Sequence, residues 1–159
     1  MEKILEILLN EGREPAASIA KRVGLSKEEV VEKIKQLQKE KIIVGYKAVI
    51  NTEKVYEDRI SCIIEVKVTP EREHGFDSIA KRIDKFPEVK SLYLMSGAYD
   101  LLIAIEGKSM KDIADFVSKK LATIPNVTGT STHFMLKRYK HDGFVISGDE
   151  EIERMPITP

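Results

Sequence analysis

The sequence predicts an α+β protein in two parts, on three observations. Residues 1–40 place apolar side chains at helical spacing and are broken by glycine and proline, whereas residues 60–139 alternate extended and helical patterns. The change of rhythm falls on a polar stretch, Asn51 to Asp58, which reads as a connector.

Ile4, Leu5, Leu8 and Leu9 define a first helix that stops at Glu11-Gly12, with Gly12 placed as a C-cap. Pro15 suits the first turn of a second helix, Ala16 to Arg22, and Gly24 supplies a tight turn after it. Ser26-Lys27-Glu28-Glu29 fits a capping box: the Ser26 hydroxyl takes a free amide at the start of a third helix and Glu29 reaches back. Val30, Ile34 and Leu37 form its buried stripe. Three short helices with a glycine-containing turn between the second and third make a helix-turn-helix, whose third helix is the one offered to the major groove. Ile42 to Ile50 is rich in β-branched residues and interrupted at Gly45-Tyr46, which predicts a short strand and hence a winged helix-turn-helix.

In the second half, Ile60, Cys62, Ile64, Val66 and Val68 alternate with Ser61, Ile63, Glu65 and Lys67 as a strand that ends at Pro70. Phe76, Ile79, Ala80 and Ile83 lie on one helical face before Pro87. Val89 to Met95 and Asp100 to Glu106 form a hairpin about Ser96-Gly97-Ala98; the run Leu101 to Ile105 also fits a buried helix by pattern, but its shortness favours strand. Ser109 caps a helix carrying Met110, Ile113, Ala114, Val117 and Leu121, closed by Pro125, and Val127 to Tyr139 is the last strand. The order strand, helix, strand, strand, helix, strand is the split ferredoxin-like βαββαβ unit. Ile63 on one side of its strand, and Phe134 and Leu136 alternating with His133 and Met135, put apolar residues on both sheet faces, which implies a covering partner, most simply a second copy. The expected organisation is therefore 1–50 winged helix-turn-helix, 51–58 connector, 59–140 ferredoxin-like domain and 141–159 acidic tail.

Composition narrows the function classes. Of 159 residues, 26 are Lys or Arg and 26 Asp or Glu, a net charge of zero that suits a soluble globular chain too short for a large multidomain enzyme. The distribution is uneven: the first fifty residues carry ten basic against eight acidic side chains, and the final stretch 141–159 carries only Arg154 against Asp142, Asp149, Glu150, Glu151 and Glu153. No apolar run reaches membrane-spanning length and Met1-Glu2-Lys3 opens no secretory signal, so a cytoplasmic chain is expected, with no membrane partner. One Cys excludes an intramolecular disulfide and a multi-thiolate zinc site, and three scattered His suggest no metal; no cofactor is expected. Cys62 reads as a small buried hydrophobe, and His74, His133 and His141 as turn or packing residues.

Six motifs in order, NEGR at 10–13, IAKRVGLS at 19–26, Ile34-Lys35-Gln36-Leu37, KIIVGYKAVIN at 41–51, SGAYDLL at 96–102 and IPNVTGTST at 124–132, resemble the Lrp/AsnC, or feast/famine, family of transcription regulators. The resemblance covers Met1 to about Tyr139. It implies a helix-turn-helix joined to a ligand-regulated ferredoxin-like domain, dimers that build octamers or larger discs, and effectors that are amino acids or related metabolites. The chain departs from the family in starting its first helix almost at Met1, in beginning the second around Glu14-Pro15-Ala16 where a Ser or Thr cap is usual, and in having few Arg in the third.

The DNA-facing candidates are Ser26, Lys27, Glu28, Lys33, Lys35 and Gln36, with Lys47 on the wing, since phosphates want cations and base edges want side chains near the start of the recognition helix. The resemblance places Ser26, Lys27, Glu28 and Glu32 near the groove. Alternating Lys and Glu equally suits a solvated face with i,i+4 pairs such as Glu29 with Lys33 and Glu32 with Gln36. Glu28 or Glu32 can accept from a cytosine amino group or merely repel phosphate. An amino acid needs donors for its carboxylate and an acceptor for its ammonium. Gly97 lets the chain approach a ligand, amides around Ala98 and Tyr99 supply donors, and Asp100 is the acceptor; the alternative is a plain hairpin turn. Thr130 and Thr132 match the family's Thr-x-Thr positions at the inter-subunit pocket. The expected function is a regulator binding double-stranded DNA and responding to a small effector. A ligand-sensing assembly module with weak DNA affinity and a sirohaem-decarboxylase-like enzyme are the alternatives.

Overall fold

Apolar spacing and end signals set the N-terminal helices. In the computed structural model, which describes residues 2–56, 58–72 and 75–146, α1 spans Glu2–Asn10, α2 Ala16–Val23 and α3 Lys27–Lys39. They belong to a first compact unit, Met1–Ile50, followed by a second from Asn51 onward. Ile4, Ile7, Ile19, Ala20 and Val30 are buried together, with Leu8, Ala16, Val23, Leu25 and Ile34 packed around them. Each large aliphatic side chain removed from water in this way contributes about 1.5–3 kcal/mol.

The helix ends are made in different ways. Gly24 is left-handed (φ 72°, ψ 33°) and its N–H donates to Ala20 O, as does that of Leu25, so the end of α2 is closed by the residue that reaches this conformation most easily. Gly12, expected to cap α1 in the same way, is not among the positive-φ glycines. There the Asn10 side-chain amide donates to Glu6 O and the Glu11 N–H to Ile7 O, satisfying carbonyls that a left-handed glycine would otherwise serve. Pro15 stands at the cap position of α2 without a side-chain cap, and Ser18 within the helix donates to the Glu14 carboxylate. At the end of α3, left-handed Lys41 (φ 57°) lets the amides of Ile42 and Ile43 turn back onto Leu37 O.

The wing strand is not formed. Ile42 to Ile50 carries no strand among the described residues, and Ile42, Val44, Tyr46 and Ile50 are exposed. High β-propensity cannot build a ladder alone; it needs neighbouring strands, and this unit contains none.

The second unit carries the sheet: β1 Ile60–Val68, α4 Asp77–Ile83, β2 Val89–Leu94, β3 Leu101–Gly107, α5 Met110–Phe116 and β4 Val127–Phe134. The strands are antiparallel in the order β2-β3-β1-β4. Both helices contribute to a core on one face, where Cys62, Ile64, Val66, Val68, Leu101, Ile103 and Ile105 meet Ile79, Ile83, Ile113 and Phe116. Leu101 to Ile105, which fitted strand or helix by pattern, is strand. Helix α5 continues as one π turn over Val117–Leu121, which brings Leu121 into the same core.

The opposite face presents Ser61, Ile63 and Glu65 of β1, Leu102, Ala104 and Glu106 of β3, and Ser131 and His133 of β4, by the register Ile63↔Ala104 and Ile63↔His133. The core of Ile63, Leu102 and Ala104 is half-buried rather than enclosed.

Strand β4 ends at Phe134, short of the expected Tyr139. Phe134 pairs with Cys62 and packs on the core, while Leu136 is 96% exposed, so the alternation that suggested a longer strand continues without a ladder. The chain then forms a small hairpin, β5 Lys140–His141 and β6 Phe144–Val145, about Asp142 (φ 45°) and Gly143 (φ 85°). Two left-handed residues in a two-residue loop are what a type I′ turn requires, and Asp-Gly is its common sequence. Ile146 is buried; its N–H donates to Tyr139 O and its carbonyl accepts from Asn51 Nδ2 at 2.8 Å. The expected tail 141–159 therefore begins as part of the folded unit. His74 and the acidic run 149–153 lie outside the described residues.

Candidate functional site

The recognition helix is fixed at its start by reciprocal bonds. Ser26 Oγ accepts from the Glu29 N–H at 3.2 Å, and Glu29 Oε2 accepts from the Ser26 N–H at 2.8 Å and from its hydroxyl at 2.8 Å. These bonds, the backbone one foremost, hold the Glu29 carboxyl below its ordinary value of 4.5. Ser26 is thus the cap that aims α3, and its hydroxyl is engaged within the helix.

Lys27, Glu28, Glu32, Lys35 and Gln36 are exposed, Lys33 is half-buried, and Lys47 is exposed on the extended segment. Positions 28, 32, 35, 36 and 39 recur at helical spacing, so Glu28, Glu32, Lys35, Gln36 and Lys39 line one outward face. Gln36 Nε2 donates to Glu40 at 2.8 Å and not to Glu32. Glu29 and Lys33 interact only through the field that helps lower the Glu29 carboxyl. Among the described residues, Lys27, Lys33, Lys35 and Lys47 have no acidic partner within ion-pair distance, which leaves these cations available to an external anion. Arg22, by contrast, pairs with Glu11 at 2.7 Å.

The second candidate site lies at the hairpin between β2 and β3. Met95 N–H donates to Asp100 O at 2.8 Å, Asp100 N–H donates to Val66 O at 3.0 Å, and Asp100 Oδ2 accepts from Val68 N–H at 2.9 Å. Asp100 therefore ties the hairpin to the bulged end of β1, where the ladder to β4 shifts between Lys67 and Val68. One of its oxygens holds backbone and the other has no partner among the described residues. Gly97 has φ +132° and open space at its Cβ position. The amides of Gly97, Ala98 and Tyr99 donate to no described group, so the loop presents donors beside a carboxylate.

Thr130 and Thr132 face Val66 and Ile64 across the β1–β4 ladder, Thr130 exposed and Thr132 half-buried. Leu101, Val66 and Thr130 form one rung, so the loop and the threonines meet at the same end of the sheet. They remain two strand spacings apart, about 10 Å. The chain brings Gly97, Ala98, Tyr99 and Asp100 together and holds Thr130 and Thr132 across β1 from them.

Sequence reasoning missed a further gathering of polar groups. Arg59 and Arg138 line one cavity of about 200 Å³ with Thr52 and Ser61. Nothing in local spacing announces it, because Arg138 reaches Arg59 only through the pairing of β1 with β4. Cys62, read as inert, is buried, and burial pushes its thiol up to about 11.

A capped helix-turn-helix followed by a ferredoxin-like sheet defines a class: regulators that bind DNA through one domain and a small ligand through the other. Residues 2–38 match the AsnC-type helix-turn-helix domain and residues 61–145 the Lrp/AsnC ligand-binding domain. The chain is 48% identical to the HTH-type transcriptional regulator YugG of Bacillus subtilis, across 99% of this chain and 95% of that one. It is 32% identical to the proline dehydrogenase transcriptional activator of Rhizobium radiobacter, over 89% of this chain and 90% of the relative. Among solved structures it resembles the Neisseria meningitidis transcriptional regulator NMB0573 in complex with L-Met, with a TM-score of 0.69 and 28% identity, covering 87% and 89% of the two chains. The chain belongs to the Lrp/AsnC family of helix-turn-helix transcription regulators.

Proposed function

We propose that this protein binds operator DNA as a homodimer, placing α3 of each copy in a major-groove half-site, and that an amino acid or a related metabolite at the Gly97–Asp100 loop biases its operator affinity or assembly. The observation that carries the DNA half is the set of cations on α3 and on the extended segment after it, Lys27, Lys33, Lys35 and Lys47, without acidic partners among the described residues. Capping by Ser26 and Glu29 supports the same reading, because a recognition helix must be held rigid at the end it presents. The effector half is supported by the loop amides beside Asp100, which donate to no group among the described residues, and by the L-Met bound to the Neisseria relative. Nothing in this role calls for a catalytic residue, and we take the chain to act by binding alone.

The test is fluorescence anisotropy of labelled DNA from upstream of the protein's own gene, across a salt series, with and without L-methionine. Expected is binding that weakens steeply with salt, with Lys35→Ala lowering affinity on all sequences and reducing the salt slope by roughly one per subunit. A flat salt dependence overturns the DNA half. For the effector half, Asp100→Asn keeps an acceptor for the Val68 amide but removes the charge, so it is expected to abolish any L-methionine response while the hairpin stays folded. Glu28 and Glu32 on the outward face favour one alternative, an assembly module with weak DNA affinity, through their repulsion of phosphate. Glu28→Gln then tightens binding to random duplex; unchanged nonspecific affinity removes that reading.

A further inference from the structure

On the sheet face away from α4 and α5, a titratable pair stands beside the apolar centre. Glu65 of β1 and His133 of β4 share that face with Ile63, Leu102 and Ala104, because Glu65 pairs with Ser131 and Ile63 with His133 in the β1–β4 ladder. His133 Nε2 is 3.6 Å from Glu65 Oε2 and 3.3 Å from Ser131 Oγ. A hydroxyl both donates and accepts, so Ser131 serves Nε2 whether or not that nitrogen carries a proton. What the proton changes is the charge beside Glu65: with it the two side chains form a neutral ion pair, and without it they carry one net negative charge. The other charged groups of the face do not take over this role. Glu106, across β1 and opposite Ser61, adds a second carboxylate and is matched by Arg59 at 3.3 Å. Lys67, two residues from Glu65 and opposite Gly129, is exposed and in no ion pair among the described residues. Tyr93 of β2, opposite Leu102 at the far edge, is a phenol, a group that ordinarily ionises near pH ~10, above the range of an imidazole.

We propose that the Glu65–His133 pair couples dimer assembly to protons: covering the sheet face with a second copy takes up a proton at His133 of each copy, so the dimer tightens as pH falls through the histidine range and loosens above it. The inference rests on the homodimer proposed above and adds its regulation. A second copy is the occupant the face itself supports, since half-buried Ile63, Leu102 and Ala104 make an apolar centre that two-fold pairing sets against itself. Seating that copy withdraws water from Glu65, which is already half-buried. A carboxylate stripped of water is strongly disfavoured unless a positive charge completes it, and the imidazolium of His133 is the charge within reach. Symmetry doubles both the cost and its remedy, because each copy brings its own Glu65 and His133. Association and protonation are then linked, each favouring the other by the same free energy. The charge count fixes the sign. The associated state holds more protons than the separated copies, up to one per copy, so the association constant falls by at most about a hundredfold per pH unit across the range in which histidines titrate, roughly pH 5 to 8.

The experiment is fluorescence-detected sedimentation of the full-length protein, from nanomolar to micromolar concentration, at about pH 6 and about pH 8 and constant salt. For the wild type, the dimer dissociation constant is expected to rise on the order of tenfold or more between the two. His133→Gln replaces an exposed side chain, so it leaves folding intact and is expected to give one affinity at both pH values. Glu65→Gln removes the charge that calls for the proton and is expected to abolish the tightening in acid. His141→Gln is the control: its imidazole lies 3.6 Å from Asp142 in the β5–β6 hairpin, and the wild-type dependence is expected to persist. A wild-type dimer equally tight at both pH values, or a dependence that survives in His133→Gln or Glu65→Gln, overturns the coupling and leaves the homodimer standing. Loss of the dependence in His141→Gln overturns the assignment to His133. A chain that stays monomeric at micromolar concentration at both pH values overturns the homodimer itself, and this inference with it.

Discussion

Ser26 illustrates how a single residue connects sequence to the geometry of α3. Its hydroxyl and backbone amide are bound to Glu29, so removing the hydroxyl frees the Glu29 amide and loosens the first turn of α3. Ser26→Ala is expected to cost about 1 kcal/mol of stability, measured by denaturant unfolding, and to weaken DNA binding through the frayed start of the helix. The pH dependence follows from Glu29. Its folded carboxyl lies below its ordinary 4.5, so the stabilisation is present above that value and is lost as pH falls through the folded value. Protection of the Ser26 amide, taken relative to its intrinsic exchange rate, is therefore expected to fall in acid below about pH 4.5 in the wild type and to show no such step in Glu29→Gln; an identical acid step in both excludes the cap as its source. This box was legible in the sequence because all its partners fall within four consecutive residues.

At the scale of elements, short-range signals were readable where one residue's conformation settles the outcome, and misleading where a partner strand settles it. Gly24 closes α2 as its position announced, and Ile60–Val68 forms β1 with the expected faces. The Ile42–Ile50 run has the composition of a strand but no neighbour within its unit, and the alternation after Phe134 lacks a ladder, so neither becomes the strand its pattern predicts. The Asp142-Gly143 turn was local and could have been found from its dipeptide. Arg59 with Arg138 could not, since their meeting depends on register. A packing requirement of the same non-local kind sits at Gly107, where a Cβ would come within 2.9 Å of Ile113 Cδ1. Ile113 is buried in the core and has little room to yield. Gly107→Ala is therefore expected to destabilise the protein by about 1–3 kcal/mol, whereas Gly12→Ala, whose Cβ would stand 3.5 Å from Leu8 O at ordinary contact, changes stability little. Equal unfolding midpoints for the two variants contradict the crowding at Gly107.

For the whole molecule, the decisive surface is the sheet face away from α4 and α5. Ile63, Leu102 and Ala104 occupy its centre, with Ser61, Glu65, Glu106 and His133 around them, the arrangement of an apolar patch with a polar rim that a second sheet can cover. A two-fold interface repeats every contact, so one substitution acts twice. Ile63→Glu adds a carboxylate two residues from Glu65 on the same face, and in a dimer it puts two new carboxylates, one from each copy, into an interface that Glu65 and Glu106 of both copies already rim. Sedimentation equilibrium is expected to show the wild type as a dimer or a higher even assembly and Ile63→Glu as a monomer, since the substituted side chain already lies on the open face and its fold needs no repacking. Operator affinity is expected to fall with it by roughly 10² or more, because two half-sites bound together gain the effective concentration that a single recognition helix lacks. Affinity for short random duplex, set by the cations of each copy alone, falls much less. A dimer that survives Ile63→Glu places the interface elsewhere, and the apolar centre of the sheet then needs a different occupant.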